Sequence, residues 1–254
     1  MRVISLQSGS SGNCIYVESG SVRLLFDAGI SGKQAELRLA AHGRDIRDIT
    51  AVVISHDHSD HVRCLGIYQR KFQLPVYVTA KTIRAATARR DLGRLGDVRP
   101  FRAGAMLPFG PVTVETIPTP HDGADGVAFV VGDGRRRLGI LTDLGHVFPG
   151  LAETVASLDA ALLESNYDPA MLDNGPYPAS VKRRIRGPGG HLSNAEAAEL
   201  LAGAGGGLRW ACLAHLSGEN NSPSLALRTH RGLLGSRFPL HLASRRGATD
   251  VLEV

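Results

Sequence analysis

The sequence predicts an α/β fold in which short buried strands alternate with helices. Three observations lead there. Short runs rich in Val, Ile and Leu recur along the 254 residues. Segments with helical spacing of apolar residues lie between them, several opened by Ser or Asn. Gly contributes 30 residues and aromatics only 5%, a composition of many tight turns between short elements.

The elements follow in order. Residues 2–6, 14–18 and 22–26 read as strands separated by Gly/Ser turns. A helix follows, with Ser31 as N-cap, Ala35, Leu37, Leu39 and Ala40 on a partly apolar face, and Gly43 as its stop. Residues 51–54 form a buried strand that runs into a cluster of His and Asp. Residues 62–72 and 81–90 read as helices, with a strand at 75–79 between them. Strands are expected at 112–117, 127–131, 138–141, 160–163 and 211–214. Helices are expected at 151–156, 181–186, 194–201 and 224–234, and strands at 240–243 and 251–253 close the chain. Arg135-Arg136-Arg137 reads as a surface hairpin turn. There is no internal repeat and no clear linker, so residues 1–254 read as one domain.

Composition excludes several classes. Hydrophobic residues make up 43% and charged residues 21%, as in ordinary globular chains. No apolar stretch is long enough to span a bilayer. Met1-Arg2-Val3-Ile4-Ser5-Leu6 lacks the apolar core and cleavage site of a secretory signal. The odd cysteine set of Cys14, Cys64 and Cys212 has no disulfide or metal spacing, which points to a reducing cytoplasm. A net charge of +5 permits an anionic partner without requiring one.

The chemistry concentrates in His56-Asp57-His58-Ser59-Asp60-His61. Neutral imidazoles and carboxylates are good ligands for divalent transition metals. An extended backbone aims His56 and His58 the same way. Asp60 and His61 fall where a helix starts and can face a second position. A two-metal site needs more ligands, and strand ends supply them in Asp27, His121, Asp143 and His215.

In that order these residues resemble the five motifs of the metallo-β-lactamase superfamily. Ser8-Gly9-Ser10-Ser11-Gly12-Asn13-Cys14, Leu163-Glu164-Ser165-Asn166-Tyr167 and Gly190-His191-Leu192-Ser193-Asn194 are similar to its bacterial YycJ/WalJ subgroup of exonuclease-like hydrolases. The resemblance implies a four-layer αββα sandwich with two divalent ions, Zn²⁺ or Mn²⁺, at one edge. It implies His56, His58 and His121 on one ion, and Asp60, His61 and His215 on the other. Asp143 would bridge the ions, and Asp27 would orient ligands from behind.

Four further features bear on the substrate. In related nuclease branches a histidine placed like His191 faces the scissile phosphate and protonates the leaving oxygen, oriented by a residue placed like Glu164. Asp60 is expected to orient the attacking water. Lys182-Arg183-Arg184-Ile185-Arg186 puts four cations beside His191, either as phosphate contacts or as a solvated helix face. The short interval from Glu164 to His191 leaves no room for an inserted cap domain. The favoured function is a phosphodiesterase acting on nucleic acid, DNA before RNA. A small-ester or thioester hydrolase remains open, as does a non-catalytic metal-stabilised nucleic-acid-binding module.

Overall fold

Three large apolar clusters divide the chain into layers, with a fourth of three residues beside them. The computed structural model describes residues 1–254. Its first elements are β1 (Arg2–Gln7), β2 (Cys14–Ser19), β3 (Val22–Phe26), α1 (Gly32–Ala41), β4 (Ala51–Val53), α2 (Ser59–Val62), α3 (Leu65–Phe72), β5 (Val76–Thr79), α4 (Ala80–Arg89) and β6 (Val98–Phe101). The chain continues through β7 (Met106–Phe109), β8 (Val112–Pro118), β9 (Val127–Gly132), β10 (Arg137–Leu141), α5 (Leu151–Ala156), β11 (Ala160–Glu164), α6 (Pro169–Asn174) and α7 (Ala179–Arg186). It ends with α8 (Asn194–Gly203), β12 (Trp210–Ala214), α9 (Pro223–Leu234), β13 (Leu240–Leu242) and β14 (Leu252–Glu253).

The strands form two seven-stranded mixed sheets. Their orders are β14-β1-β2-β3-β4-β5-β6 and β13-β12-β11-β10-β9-β8-β7. Successive side chains point to opposite faces of a strand, so β2 sends Ile15 and Val17 one way and Cys14 and Tyr16 the other. The first set joins Phe26, Val114, Phe129 and Leu162 in a cluster between the sheets. The second packs with Ala35 and Leu39 of α1, Leu65 and Tyr68 of α3 and Ala86 of α4. The outer face of the other sheet packs Leu141, Leu163 and Leu213 against Leu151 of α5, Leu200 of α8 and Ala226 of α9. Helix, sheet, sheet and helix make the four-layer sandwich. Inner strands buried on both faces need continuous apolar runs, which made them readable in the sequence.

Some elements depart from the sequence reading. The helix expected at 62–72 is two helices, α2 and α3, separated by Arg63 and Cys64. The break docks the chain, because Cys64 N–H donates to Ala28 O at 3.0 Å and Arg63 Nε donates to Gly29 O at 2.7 Å. β6 and β7 were not foreseen. Each carries a proline, at 100 and 108, and each lies at a sheet edge, where a missing N–H leaves no ladder bond unmade. α6 was also missed, although Asp168 caps it and Pro169 opens it, a recognisable start signal.

The loop after β3 passes hard against the start of α2. Ala28 N–H donates to His61 O at 2.7 Å, and Gly29 N–H to Asn13 O at 2.9 Å. A Cβ on Gly29 would lie 1.6 Å from Asp60 O, so only glycine fits. Gly29→Ala is expected to destabilise the protein by on the order of 3 kcal/mol, since backbone must move. Urea unfolding of the two proteins measures this. Equal midpoints would show that the contact relaxes freely.

Candidate active site

The sequence-singled residues converge where strand ends meet at one edge. Asp27 follows β3, Asp143 follows β10 and His215 follows β12. All three hold left-handed backbone, at φ 66°, 56° and 54°. Non-glycine residues adopt this conformation at a cost of roughly 1–2 kcal/mol, and such residues cluster at functional sites. Each turn swings a strand-end side chain toward His56 and His58 on the loop after β4 and His61 in α2.

The ligand-capable atoms form four overlapping groups, the atoms of each within 4.8 Å of one another. His56, His61 and Asp143 make up one and His121, Asp143 and His191 another. The remaining two carry the residues expected on separate ions: His56, His58 and His121 in one, and Asp60, His61 and His215 in the other. Asp143 lies between these last two. Its oxygens are 3.3 Å from His61 Nε2, 3.4 Å from His215 Nε2 and 3.6 Å from His121 Nε2. The set fits a pair of divalent cations on two structural grounds. His56 Nε2 and Asp143 Oδ2 are buried without a hydrogen-bond partner, which costs about 1–3 kcal/mol each unless something satisfies them. The donors are imidazole nitrogens and carboxylate oxygens, which suit Zn²⁺ or Mn²⁺.

Outer contacts fix how the rings face. His61 Nδ1 meets Asp27 Oδ2 at 2.7 Å, and the same carboxylate accepts from Ser55 N–H and Oγ at 2.8 and 2.9 Å through Oδ1. His121 Nδ1 meets Gly190 O at 2.7 Å, which leaves Nε2 for the cluster. A Cβ on Gly190 would lie 2.0 Å from Ile185 O, so glycine is needed to bring that carbonyl in. Asn13 Nδ2 lies 3.0 Å from His61 Nε2, and Asn13 Oδ1 is 3.2 Å from His215 Nδ1. Asp27→Ala is expected to lower metal affinity about 10–100-fold, the usual cost of losing a ligand-orienting partner. Competition against a chelator measures it, and unchanged affinity would remove Asp27 from this role.

Electrostatics suit cation binding. Burial, together with neighbouring imidazoles, pushes His56 and His58 below the ordinary histidine value, and burial does the same to His215. Neutral imidazole is the ligating form. His61 goes the other way. Burial opposes its charge, but Asp27, Asp143 and Asp60 outweigh it and hold it well above the usual value. Burial likewise works against charge on Asp60, yet His61 and His215 hold its pKa at about 2. The same balance keeps Asp143 well below the carboxylate range. Both carboxylates are therefore anionic at neutral pH.

His191 and Glu164 form a separate pair beside this cluster. His191 Nδ1 and Glu164 Oε1 are 2.5 Å apart, and Glu164 Oε2 accepts from Leu144 N–H at 3.0 Å. Glu164 is fully buried, whereas His191 lines the open cleft. Burial disfavours the imidazolium, but Glu164 and then Asp143 outweigh it, so His191 lies above the ordinary histidine value. Asp143 Oδ1 is also 3.7 Å from His191 Nδ1. Glu164 takes up that nitrogen and leaves Nε2 as the free ring nitrogen. His191 also stands with His121 and Asp143 in a group of ligand-capable atoms within 4.8 Å of one another.

The cleft has a volume of about 410 Å³ and thirteen lining residues, of which only Val62 and Ala86 are apolar. The basic run on α7 disperses around it. Arg184 lines the cleft and forks onto Asp122 at 2.5 and 2.8 Å. Lys182 Nζ donates to Asp173 O at 2.8 Å, and Arg186 pairs with Asp173 at 2.5 Å, both away from the cleft. Arg183 is exposed and makes no side-chain contact with the cleft.

Residues of the Beta-lactamase superfamily domain match positions 22–215. The chain is 36% identical to Exodeoxyribonuclease YycJ of Bacillus anthracis over 224 residues, 87% of this chain and 84% of that one. The chain belongs to the metallo-β-lactamase superfamily. It is 35% identical to Exodeoxyribonuclease WalJ of Streptococcus pneumoniae over 259 residues, 98% of this chain and 96% of that protein. The metallo-β-lactamase fold protein YhfI from Bacillus subtilis superposes with a TM-score of 0.75 over 100% of both chains at 18% identity, which concerns the fold. As a superfamily member, the chain is a metal-dependent hydrolase.

Sequence reasoning missed four residues of this metallo-β-lactamase site. Asn13 reads as a turn residue, and Ser55 only as the residue after the strand expected at 51–54. Asp57 is buried between two candidate ligands, pairs with Arg89 and accepts from Ala124 N–H at 2.6 Å through Oδ1. Asp122, next to His121, lies 3.4 Å from His58 Nε2. Only the adjacency of Asp57 and Asp122 to candidate ligands hinted at them.

No helix is long and apolar enough to cross a membrane, and the three cysteines are unpaired.

Proposed function

We propose that the protein is a phosphodiesterase of nucleic acid, with DNA as its substrate and exonucleolytic action. The observation that carries this reading is the His191–Glu164 pair at the rim of the His/Asp cluster. A buried carboxylate that raises an imidazole beside an open polar cleft suits protonation of an alkoxide leaving group. The names of the relatives from Bacillus anthracis and Streptococcus pneumoniae, both exodeoxyribonucleases, support DNA over RNA.

We assign His56, His58 and His121 to one divalent ion, Asp60, His61 and His215 to a second, and Asp143 to both. The ions are Zn²⁺ or Mn²⁺. When bound, they would supply Lewis-acid polarisation of the phosphate and a more acidic attacking water. Asp60, anionic at neutral pH, orients that water through its carboxylate. His191 donates Nδ1–H to Glu164 and holds its second proton at Nε2. That proton passes to the oxygen leaving phosphorus, which avoids expelling a strongly basic alkoxide. Arg184 sets positive charge at the cleft wall, and Lys182, Arg183 and Arg186 extend the basic field outward. The interval of 27 residues between Glu164 and His191 holds only the short helices α6 and α7. We therefore read residues 1–254 as one catalytic domain with an uncapped cleft, and place it in the cytoplasm.

The polar lining speaks against a thioester acyl chain, which needs an apolar channel. A panel of end-labelled DNA, RNA of the same sequence and an acyl thioester tests the assignment with metal-loaded protein. Stepwise shortening of DNA ahead of RNA, with the thioester intact, is the expected result. Thioester hydrolysis without nucleic-acid cleavage would overturn it.

A further inference from the structure

We infer that Arg90 is a substrate-positioning residue that binds the phosphodiester adjoining the scissile one, an assignment that rests on the nucleic-acid reading above. Three cations line the cleft: Arg89, Arg90 and Arg184. Two are committed. Arg89 pairs with Asp57, and Arg184 with Asp122. Arg90 is exposed, lines the cleft and has no ion pair or side-chain hydrogen bond within the chain. The carboxylates that share the cleft do not neutralise it. Asp57 is bound to Arg89, and Asp60 and Asp143 sit among histidines. Arg90 is the uncommitted cation of the cleft.

Its position follows from contacts that hold the helix it extends. α4 is tied down at both ends to the loops that carry the candidate ligands. At its start, Thr82 Oγ1 donates to Ala124 O at 2.6 Å and Lys81 Nζ meets Asp125 at 3.2 Å. At its end, Arg89 engages Asp57, whose side chain is fully buried between His56 and His58. A basic residue in the last helical turn also suits the helix dipole, and Arg89 already fills that place. Arg90 lies one step beyond, in extended backbone at φ −153° and ψ 137°.

The walls differ in origin. α4 packs on the first sheet through Ala86, whereas α7 packs through Ile185 with Tyr167 and Leu172 after β11 of the second, and Ser193 beyond His191 bridges to Tyr167. Arg184 and His191 therefore flank the reacting phosphate from one wall, and Arg90 faces the cleft from the other. A planar guanidinium with free donors matches a phosphodiester's two unbridged oxygens. A chain longer than one linkage would place its next phosphate there. Sequence reasoning placed Arg90 at the end of the helix expected at 81–90 and gave it no role.

The test uses two readouts on the metal-loaded protein. In the first, Arg90→Ala is compared with the unaltered protein on an oligothymidylate and on bis(p-nitrophenyl) phosphate, a single diester. The KM for the oligonucleotide is expected to rise roughly tenfold, the order expected from losing a charge-assisted contact, and at least five times more than that for the small diester. Arg90→Lys should restore part of it. In the second, a fluorescent oligothymidylate is bound to His191→Ala protein with and without Arg90→Ala, so that affinity is read without turnover. The slope of log affinity against log salt should become shallower by about 0.7, the share of one phosphate on a single strand. Equal slopes and affinities would overturn the role of Arg90 and leave the nuclease reading intact. Equal KM increases on both substrates would also overturn it, since Arg90 would then act at the reacting phosphate. If neither protein binds oligonucleotide, the nucleic-acid reading itself fails, and this assignment with it.

Discussion

His191→Ala is expected to lower kcat for DNA cleavage about 10²–10⁴-fold, the usual contribution of a positioned general acid, while both ions stay bound. The separation follows from geometry. His191 Nδ1 is spent on Glu164 at 2.5 Å, and the triads His56/His58/His121 and Asp60/His61/His215 assigned to the two ions do not include it. Steady-state kinetics with metal analysis of the same sample measures both quantities. Loss of an ion with the activity would make His191 a ligand instead of an acid. A pH profile sharpens the test. Burial lowers the His191 pKa, but Glu164 and Asp143 raise it by more, so its net value lies above the ordinary one. A general acid works in its protonated form, so activity falls as pH rises through that value. Glu164→Gln removes the main stabilising charge, and the basic limb should move to lower pH. The acid limb has a different origin. His56, His58 and His215 must be neutral to ligate, so it should stay in place in Glu164→Gln. A basic limb that does not move would detach Glu164 from the proton.

Asp143→Ala is expected to have the second large effect. Asp143 is the one carboxylate within 3.6 Å of nitrogens from both ligand groups. Its removal takes an anion from among four imidazoles and leaves their mutual repulsion unopposed. Metal affinity should fall by more than the roughly 100-fold upper range seen for outer partners, and DNA cleavage with it. Elemental analysis of the dialysed variant should find less than one ion per chain. Two ions retained would show that Asp143 is not shared. The metal-free variant should also respond differently to acid. Asp143 raises the pKa of His61, and a histidine raised above its unfolded value lends stability below that unfolded value and loses it as pH rises through the folded one. Part of that low-pH support should disappear.

Legibility followed locality. The His56-to-His61 run was readable because its ligand types sit within six consecutive residues, across the loop after β4 and the start of α2. Asp27, His121, Asp143 and His215 were readable because each follows a strand, fully or nearly buried for all but His121, whose strand β8 alternates. Inner strands such as β4 and β11 announced themselves as unbroken apolar runs, since both faces are covered. What escaped was non-local. A helix turns about 100° per residue, so four cations on α7 cannot share a direction, and only Arg184 reaches the cleft. Proximity of the run to His191 in sequence said nothing about which one would. Asp57 and Asp122 stand beside ligands in sequence, but their partners Arg89 and Arg184 are 32 and 62 residues away. The proline-bearing edge strands β6 and β7 escaped because an edge tolerates what an inner strand does not.

The most direct test adds Mn²⁺ or Zn²⁺ stepwise to chelator-stripped protein while reading stepwise shortening of end-labelled linear DNA. Cleavage should be absent at the start, rise as the second equivalent per chain binds, and stay low throughout in His191→Ala. Cleavage by the stripped protein, or intact DNA at two bound ions, would contradict the assignment of this cluster as the centre of a dinuclear nuclease.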